Sequence, residues 1–249
     1  MYDPVKDGVA KSVEGVTYVE VSAPADLADL VHCFWEMKTE QHLAEDFTLH
    51  AMPDACVNLL FNQQDTRIAG VTALQTTHTS LDLGRSFHFV GVQLFPGVWR
   101  GDPEQSVDHY VGEPYEGDLP LIEFNERLAG VDGDGKHAVF TELVEQLRNA
   151  GLVAANPVTA AILRNLDDIT NVAEMANVAA MSTRQLQRAL KQTTGFSPHD
   201  LLKVLRIQHS FREGYLLLFT DQSHYTHSFR RVTGYTPRKF EKTFDVGEF

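Results

Sequence analysis

Several short segments in the first hundred residues are apolar, aromatic or alternate between apolar and polar positions, which is typical of β-strands. Turn-forming pairs such as Pro53-Asp54 and Pro96-Gly97 separate them. The segments are VTYVEVS (16–22), HCFWEM (32–37), ACVNLLF (55–61) and SFHFVGVQLF (86–95). We therefore predict a mainly antiparallel sheet folded into a sandwich or small barrel, with a short helix near residues 25–31.

From residue 120 onward, apolar residues recur at intervals of three and four, which is the period of an α-helix. PLIEFNERLAG (120–130) and KHAVFTELVEQLRNAG (136–151) each end at a glycine that can close a helix. The helical period continues after Asn156, with Pro157 at a typical first helical position. The sequence thus predicts an α+β chain, with a β-rich domain at 1–151 that ends in two helices and an all-helical domain at 157–249.

Residues 171–198 have the order of a helix-turn-helix unit, in which small and apolar residues at 179–181 supply the turn. Ser182 can cap the second helix, whose inward positions are apolar. The outward positions carry polar and basic side chains: Thr183, Arg184, Gln187, Arg188 and Lys191. Arginine pairs with guanine edges and glutamine with adenine edges, so this face suits a DNA major groove. The alternative is a charged helix surface that only contacts solvent.

Residues 219–237 repeat this pattern, with Asp221 as a cap and Tyr225 and Phe229 facing inward. Both segments close on glycine, an aromatic residue, serine or threonine, and proline, at 195–198 and 234–237. The repeat suggests a duplicated unit. The outward residues of the second copy are Gln222, Ser223, Thr226, His227 and Arg230.

Three strings follow one another in the C-terminal part: S-T-R-Q-L-Q-R-A-L-K-x3-G-F-S-P, L-L-x3-R (201–206) and D-Q-S-H-Y-T-H-S-F-R-R-x2-G-Y-T-P-x2-F. Together they resemble the DNA-binding domain of AraC-type (AraC/XylS) transcription regulators. The resemblance covers residues 157–244. It implies two helix-turn-helix units joined by a long helix, which place two recognition helices in successive major-groove faces of promoter or operator DNA. It implies base and phosphate contacts from the outward residues of both units, with Arg230 and Arg231 nearer the DNA backbone.

The second unit departs from the family pattern. His227 stands where these regulators usually carry arginine, and Leu218-Phe219 replaces Gly-Phe. Fourteen residues (207–220) follow Arg206 before the second cap, fewer than the family normally has. The first helix of the second unit is therefore predicted to be truncated or merged into the linker helix. An interaction protein or anti-regulator that no longer docks on DNA is the alternative function.

The N-terminal part resembles the β-rich domain sometimes found ahead of this DNA-binding module. The resemblance lies in HCFWEM (32–37), MPDACVNLLF (52–61) and GVQLFPGVW (91–99). That resemblance implies a sensor or dimerisation domain, so a small-molecule effector, a second copy of the chain and RNA polymerase are the expected further partners. Six apolar residues could line an effector pocket, with ordinary core packing as the alternative: Trp35, Leu59, Phe61, Phe89, Phe95 and Trp99.

The charge distribution supports a polyanionic partner for the C-terminal part. The whole chain carries a net charge of −13, which splits into −16 for residues 1–150 and +3 for residues 151–249. The segment Ser182–Phe244, which contains both predicted recognition helices, carries +7. An acidic total thus conceals a basic segment suited to nucleic acid.

The stretch GVDGDGKH (130–137) fits the spacing G-x4-G-K, but His137 stands where a phosphate loop needs serine or threonine. We expect a solvated turn between two helices there. The histidines lack the spacing of metal ligands, and Cys33 and Cys56 lie in apolar contexts that favour small buried side chains. No metal or other cofactor is therefore expected.

No local arrangement for a nucleophile is present, so we expect a protein that is not an enzyme, with a ligand-binding enzyme of the β-barrel type as a third alternative. The start of the chain lacks a signal region, and no apolar run is long enough to cross a bilayer. A cytoplasmic protein without a membrane partner is expected.

Overall fold

The computed structural model describes residues 11–13, 15–51, 53–72, 78–101, 106–107, 112–213 and 222–244. A β-rich region precedes a helical region, which confirms the predicted α+β class. The strands are β1 (Lys11–Val13), β2 (Val16–Val21), β3 (Val31–Thr39), β4 (Thr48–Ala51), β5 (Val57–Asn62), β6 (Ala69–Thr72), β7 (Thr79–Asp82), β8 (His88–Leu94) and β9 (Ser106–Val107). The helices are α1 (Leu121–Ala129), α2 (Asp134–Asn149), α3 (Pro157–Arg164), α4 (Val172–Val178), α5 (Thr183–Thr194), α6 (Pro198–Glu213), α7 (Gln222–Thr233) and α8 (Pro237–Phe244).

Seven strands form one sheet in the order β1-β2-β3-β8-β5-β6-β9, and β4 pairs with β7 in a separate two-stranded ribbon. The pairs in the large sheet are antiparallel except for β6 with β9. The four predicted strands are present as β2, β3, β5 and β8. The predicted helix near residues 25–31 is a single 3-10 turn at Ala25–Leu27.

The two faces of the large sheet are covered by different layers, because side chains of a strand alternate between its faces. On one face, Phe34, Phe61 and Val92 pack against Phe124 of α1 and Phe140 of α2. On the other face, the apolar cluster includes Met37, Leu60 and Phe89. Leu49 of β4 and Leu81 of β7 pack against it, so the ribbon covers that part of the sheet.

The helical region has its own core, to which Met175 of α4, Leu186 and Leu190 of α5, and Leu201 and Leu205 of α6 contribute. None of the helices that the structure describes is both long and apolar enough to span a membrane.

The turn that follows β8 joins the two regions. Thr159 Oγ1 of α3 donates to the Pro96 carbonyl at 2.6 Å, and Asn156 Nδ2 donates to the Gly97 carbonyl at 3.1 Å. A Cβ at Gly97 would lie 3.2 Å from the side chains of both Thr193 and Thr194, so this turn abuts the C-terminal end of α5. The sheet and the helix-turn-helix therefore share a tightly packed contact.

Lys136 does not lie in the solvated turn expected for the G-x4-G-K stretch. Helix α2 begins at Asp134, and Lys136 is buried with its Nζ donating to Glu36 Oε1 of β3 at 2.7 Å. His88 Nε2 lies 2.7 Å from the same oxygen. The hydrogen bonds from His88 and Lys136 lower the pKa of Glu36 to about 2. The expectation was wrong at Lys136 because its partner lies 100 positions earlier, where no local pattern reveals it.

Replacing Lys136 should destabilise the fold, because a partly buried carboxylate would lose its principal cation. We expect Lys136→Met to lower the free energy of unfolding by about 1–3 kcal/mol at pH 7, measured by urea denaturation. The pKa of Glu36 is lowered on folding, so this stabilisation is present above pH 4.5 and is lost as the pH falls towards 2. The difference between wild type and variant should therefore shrink at pH 3.

The matched control is Arg85→Met, which removes an exposed ion pair to Asp46 at 3.3 Å. Exposed pairs contribute less than about 1 kcal/mol to the free energy of unfolding. The free energy of unfolding of this variant should therefore stay close to that of the wild type. Equal losses in the two variants would contradict a structural role for the buried pair.

Candidate nucleic-acid interface

The first helix-turn-helix unit is bounded by local capping interactions. The Asn171 side chain accepts from the backbone N–H groups of Ala173 and Glu174 at the start of α4. Ser182 and Gln185 form a capping box at the start of α5, which confirms Ser182 as the cap. Helix α5 ends at Gly195, whose φ of 71° places it in the left-handed region.

The predicted outward face of α5 lies at the surface. Leu186 and Leu190 are fully buried on the opposite side of the helix. In the part of the chain that the structure describes, no carboxylate forms an ion pair with the basic residues of this face. Within the described ranges, ion pairs therefore do not neutralise its positive charge. The exposed residues are Thr183, Arg184, Gln187, Arg188 and Lys191.

Lys191 differs from the other residues of this face in its contacts. Its Nζ donates to the Gly195 carbonyl at 2.7 Å, so its charge lies over the C-terminal end of α5. A cation at this end interacts favourably with the helix dipole. Lys191 therefore has a structural contact in addition to any contact with DNA.

An open surface depression of about 320 Å³ adjoins the N-terminal half of α5. It is lined by Thr183, Arg184 and Gln187 of α5 together with Ser197 and His199 around the start of α6. His199 is exposed. His199 was not among the predicted site residues, although its position directly after the G-F-S-P string could have indicated it.

Arg206 fixes the linker helix α6 to the first unit. Its Nη2 donates to the Ile169 carbonyl, just before α4, at 3.1 Å. Burial lowers the pKa of Arg206, and the nearby Glu174 carboxylate opposes that shift. Together with the leucines of α6 in the helical core, this contact holds α4, α5 and α6 as one unit.

The second predicted recognition helix is present as α7. His227, Arg230 and Arg231 are exposed, and Thr226 is partly buried. Gln222 and Ser223 lie in the first turn of α7, but their side chains are outside the described part of the chain, as is that of Tyr225. Asp221 also lies outside the described residues. Phe229 faces inward as predicted, and its ring meets that of Phe240 of α8 edge-on at 5.5 Å.

The six residues predicted to line an effector pocket do not lie together. Leu59, Phe61 and Trp99 belong to the core beneath α1 and α2. Trp35 and Phe89 lie on the opposite face of the sheet. Phe95 packs against both that first core and the core of the helical region. An effector pocket thus stays a prediction, and the structure does not bring these six side chains to one cavity.

The face that carries Trp35 also carries polar side chains that the sequence analysis did not select. Trp35 Nε1 donates to Asn58 Oδ1 at 3.1 Å, and Tyr18 Oη donates to Glu20 Oε1 at 2.7 Å. A Cβ at Gly91 would lie 2.5 Å from the indole, so glycine is needed where the ring crosses β8. Polar residues at alternate positions of otherwise apolar strands were the available signal.

Asp54 links this polar face to the helical region. Gln93 Nε2 donates to its Oδ2 at 2.6 Å, and the Cys56 backbone N–H donates to its Oδ1 at 2.8 Å. Burial raises the pKa of Asp54 to about 6. On either side of it, the Pro53 carbonyl accepts from Gln208 Nε2 of α6 at 2.9 Å, and Ala55 belongs to the helical core.

Cys33 and Cys56 are both buried, which confirms that they are small buried side chains. Burial raises the pKa of the Cys56 thiol, which makes it a poor nucleophile at neutral pH. Within the described ranges, no three histidine, cysteine, aspartate or glutamate side chains lie close enough to hold a metal ion.

Two family models match separate parts of the chain. Residues 175–243 match the model of a helix-turn-helix domain, and residues 19–108 match a domain of unknown function (DUF6597). The helical region therefore contains a helix-turn-helix domain of the AraC type, which confirms the resemblance seen in the sequence. This match supports a DNA-binding transcription regulator and double-stranded DNA as its partner.

No curated protein matches the chain. The 1.65 Å structure of ToxT from Vibrio cholerae is similar to it, with 9% identity over 86% of this chain and 98% of that chain, and a TM-score of 0.44.

The pKa of Asp54 leads to a pH-dependent stability. Folding raises that pKa from 3.8 to about 6, so the folded state loses stability as the pH rises from about 4 to 6. The loss is at most about 3 kcal/mol and stays constant at higher pH. Thermal denaturation should show that the Tm of Asp54→Asn falls less than the wild-type Tm between pH 5 and pH 7.5.

Asp29→Asn, which changes an exposed aspartate of the same region, is the matched control and should follow the wild type. The same pH dependence of Tm in wild type and Asp54→Asn would contradict the assignment.

Proposed function

We propose that this protein is a transcription regulator that reads specific double-stranded DNA with α5 in the major groove and α7 as a second reader. The exposed face of α5 is the observation that supports this most strongly. Arg184, Gln187 and Arg188 lie on a helix that is capped at both ends and backed by buried leucines. Because such a helix is already ordered, it presents arginine and glutamine to base edges with little further loss of conformational entropy on binding.

Phosphate contacts would come from basic residues around the two readers. Arg230 and Arg231 are exposed in the last turn of α7, and His199 is exposed beside α5. Each cation that neutralises a phosphate releases counterions, so the affinity should fall steeply as the salt concentration rises. A steep salt dependence together with sequence preference would support both kinds of contact.

We further propose that the chain divides into the domains 1–151 and 157–249, and that the first controls the second. The interface supports such control. The turn at Pro96-Gly97 abuts the end of α5, and the segment Pro53–Ala55 contacts α6. A small-molecule effector on the polar face around Asn58 and Gln93, or dimerisation through the first domain, could change these contacts. RNA polymerase is the partner expected of an activator.

The short connection before α7 favours one alternative function. Helix α6 ends at Glu213 and α7 begins at Gln222, so eight residues separate them. If this shortening prevents docking on DNA, the protein acts by binding another protein or by sequestering a regulator. Selection from a random duplex library tests this directly. Recovery of no preferred sequence by the full-length chain would favour the alternative.

Substitutions on α5 test the proposed reading helix. We expect Gln187→Ala and Arg188→Ala each to weaken binding to the duplexes that the wild type selects by about 10–100-fold, because each removes a base-edge contact. Fluorescence anisotropy at several salt concentrations measures this. The slope of log affinity against log salt concentration should become shallower by about one if Arg188 contacts a phosphate.

Arg164→Ala is the matched control, because Arg164 is exposed at the end of α3 and donates only locally, to the Ala160 carbonyl at 3.2 Å. Its affinity should equal that of the wild type. Unchanged affinity of both α5 variants for all selected duplexes would show that α5 does not read DNA.

A further inference from the structure

The segments that precede the two recognition helices differ in length. In the first unit, the eleven residues Val172–Ser182 supply α4 and the turn that leads into α5. In the second, only eight residues lie between α6 and α7. Helix α4 contributes Met175 and Ala176 to the core that backs α5.

A residue of the sheet region contacts the end of α7. The backbone N–H of His78 donates to the Val232 carbonyl, in the last turn of α7, at 3.0 Å. The His78 ring lies over Gly234 so closely that a Cβ there would overlap the imidazole. The ring also meets that of Tyr235 at 6.1 Å, edge to face. His78 thus contacts both α7 and the turn that leads into α8.

This contact belongs to one end of the ribbon formed by β4 and β7. His78 directly precedes β7, and Thr79 pairs with Ala51 at the end of β4. Two residues after Ala51, the Pro53 carbonyl accepts from Gln208 of α6 at 2.9 Å. The same ribbon end therefore contacts the linker helix through one strand and the second recognition helix through the other.

Gly234 itself is suited to this contact. Its φ of 76° lies in the left-handed region, where glycine is favoured, and it ends α7 by donating to the Arg230 carbonyl at 2.9 Å. Val232 and Phe229 are buried beside it. The end of α7 is thus ordered by its own C-terminal turn and by His78.

We infer that the ribbon end completes the second helix-turn-helix unit within the same chain, and that His78 is a positioning residue for α7. The N-terminal region then takes part in DNA recognition by setting where the second reader lies relative to the first. This inference rests on the proposed DNA-binding function. It makes recognition of the second half-site, but not of the first, depend on the sheet region.

The test uses full-length protein and the duplexes of about 30 base pairs that the wild type selects, long enough for two major-groove contacts one helical turn apart. Hydroxyl-radical footprinting reports the two half-sites separately. His78→Pro removes the donating N–H and the ring, and proline is tolerated just before a strand. We expect protection of the second half-site to fall at least tenfold while that of the first is retained.

Gly234→Ala provides an independent variant, because its added methyl group would collide with the imidazole. The double variant His78→Ala with Gly234→Ala removes that collision, so it should recover part of the second half-site protection that Gly234→Ala loses. Recovery of this kind requires that residues 78 and 234 touch. A purely local effect at Gly234 would leave the double variant no better than the single one, and would overturn the inference.

His42→Ala, which changes an exposed histidine of the sheet region, is the control and should retain both footprints. Footprints of His78→Pro that match the wild type at both half-sites would overturn the inference. Equal loss at both half-sites, with an unchanged Tm, would also overturn it. A wild type that protects no duplex would instead refute the proposed function.

Discussion

The hydrogen bonding of β8 on both of its edges is the constraint on which the rest of the structure depends. β8 pairs with β3 on one side and with β5 on the other. Its alternation sends Val90, Val92 and Leu94 into the core beneath the helices, and leaves Gly91 and Gln93 on the polar face. A slip of one residue would exchange these faces, because side chains alternate along a strand.

The register of β8 also determines where the reading domain is attached. The chain passes from Leu94 directly into the turn whose carbonyls, at Pro96 and Gly97, accept from Thr159 and Asn156. That turn abuts the C-terminal end of α5. β8 therefore connects the polar face to the reading helix, which gives a change at Gln93 a short path to the helical region.

Much of the local structure could be predicted from the sequence because its signals are local. Periodicity located β2, β3, β5 and β8, and the combination of Ser182, a polar outward face and Gly195 located α5. The strands β4, β6 and β7 were missed. Each has four residues, too few for a clear alternation, and is stabilised by pairing with distant segments. The contacts of Lys136 with Glu36 and of Gln208 with Pro53 likewise join residues at least 100 positions apart, beyond the range of any sequence pattern.

The placement of the supporting contacts has a consequence for how the chain folds during synthesis. The residues of the sheet region that contact the helical region all precede it in the sequence. They are Pro53, Ala55, His78 and the turn at Pro96-Gly97. Domains generally fold from the N-terminus as the ribosome extends the chain. The sheet can therefore assemble before α3 emerges, so that the helices form against an existing surface. A truncation that removes only the last helices would leave that surface exposed, whereas loss of the first strands would deprive the emerging helices of their template.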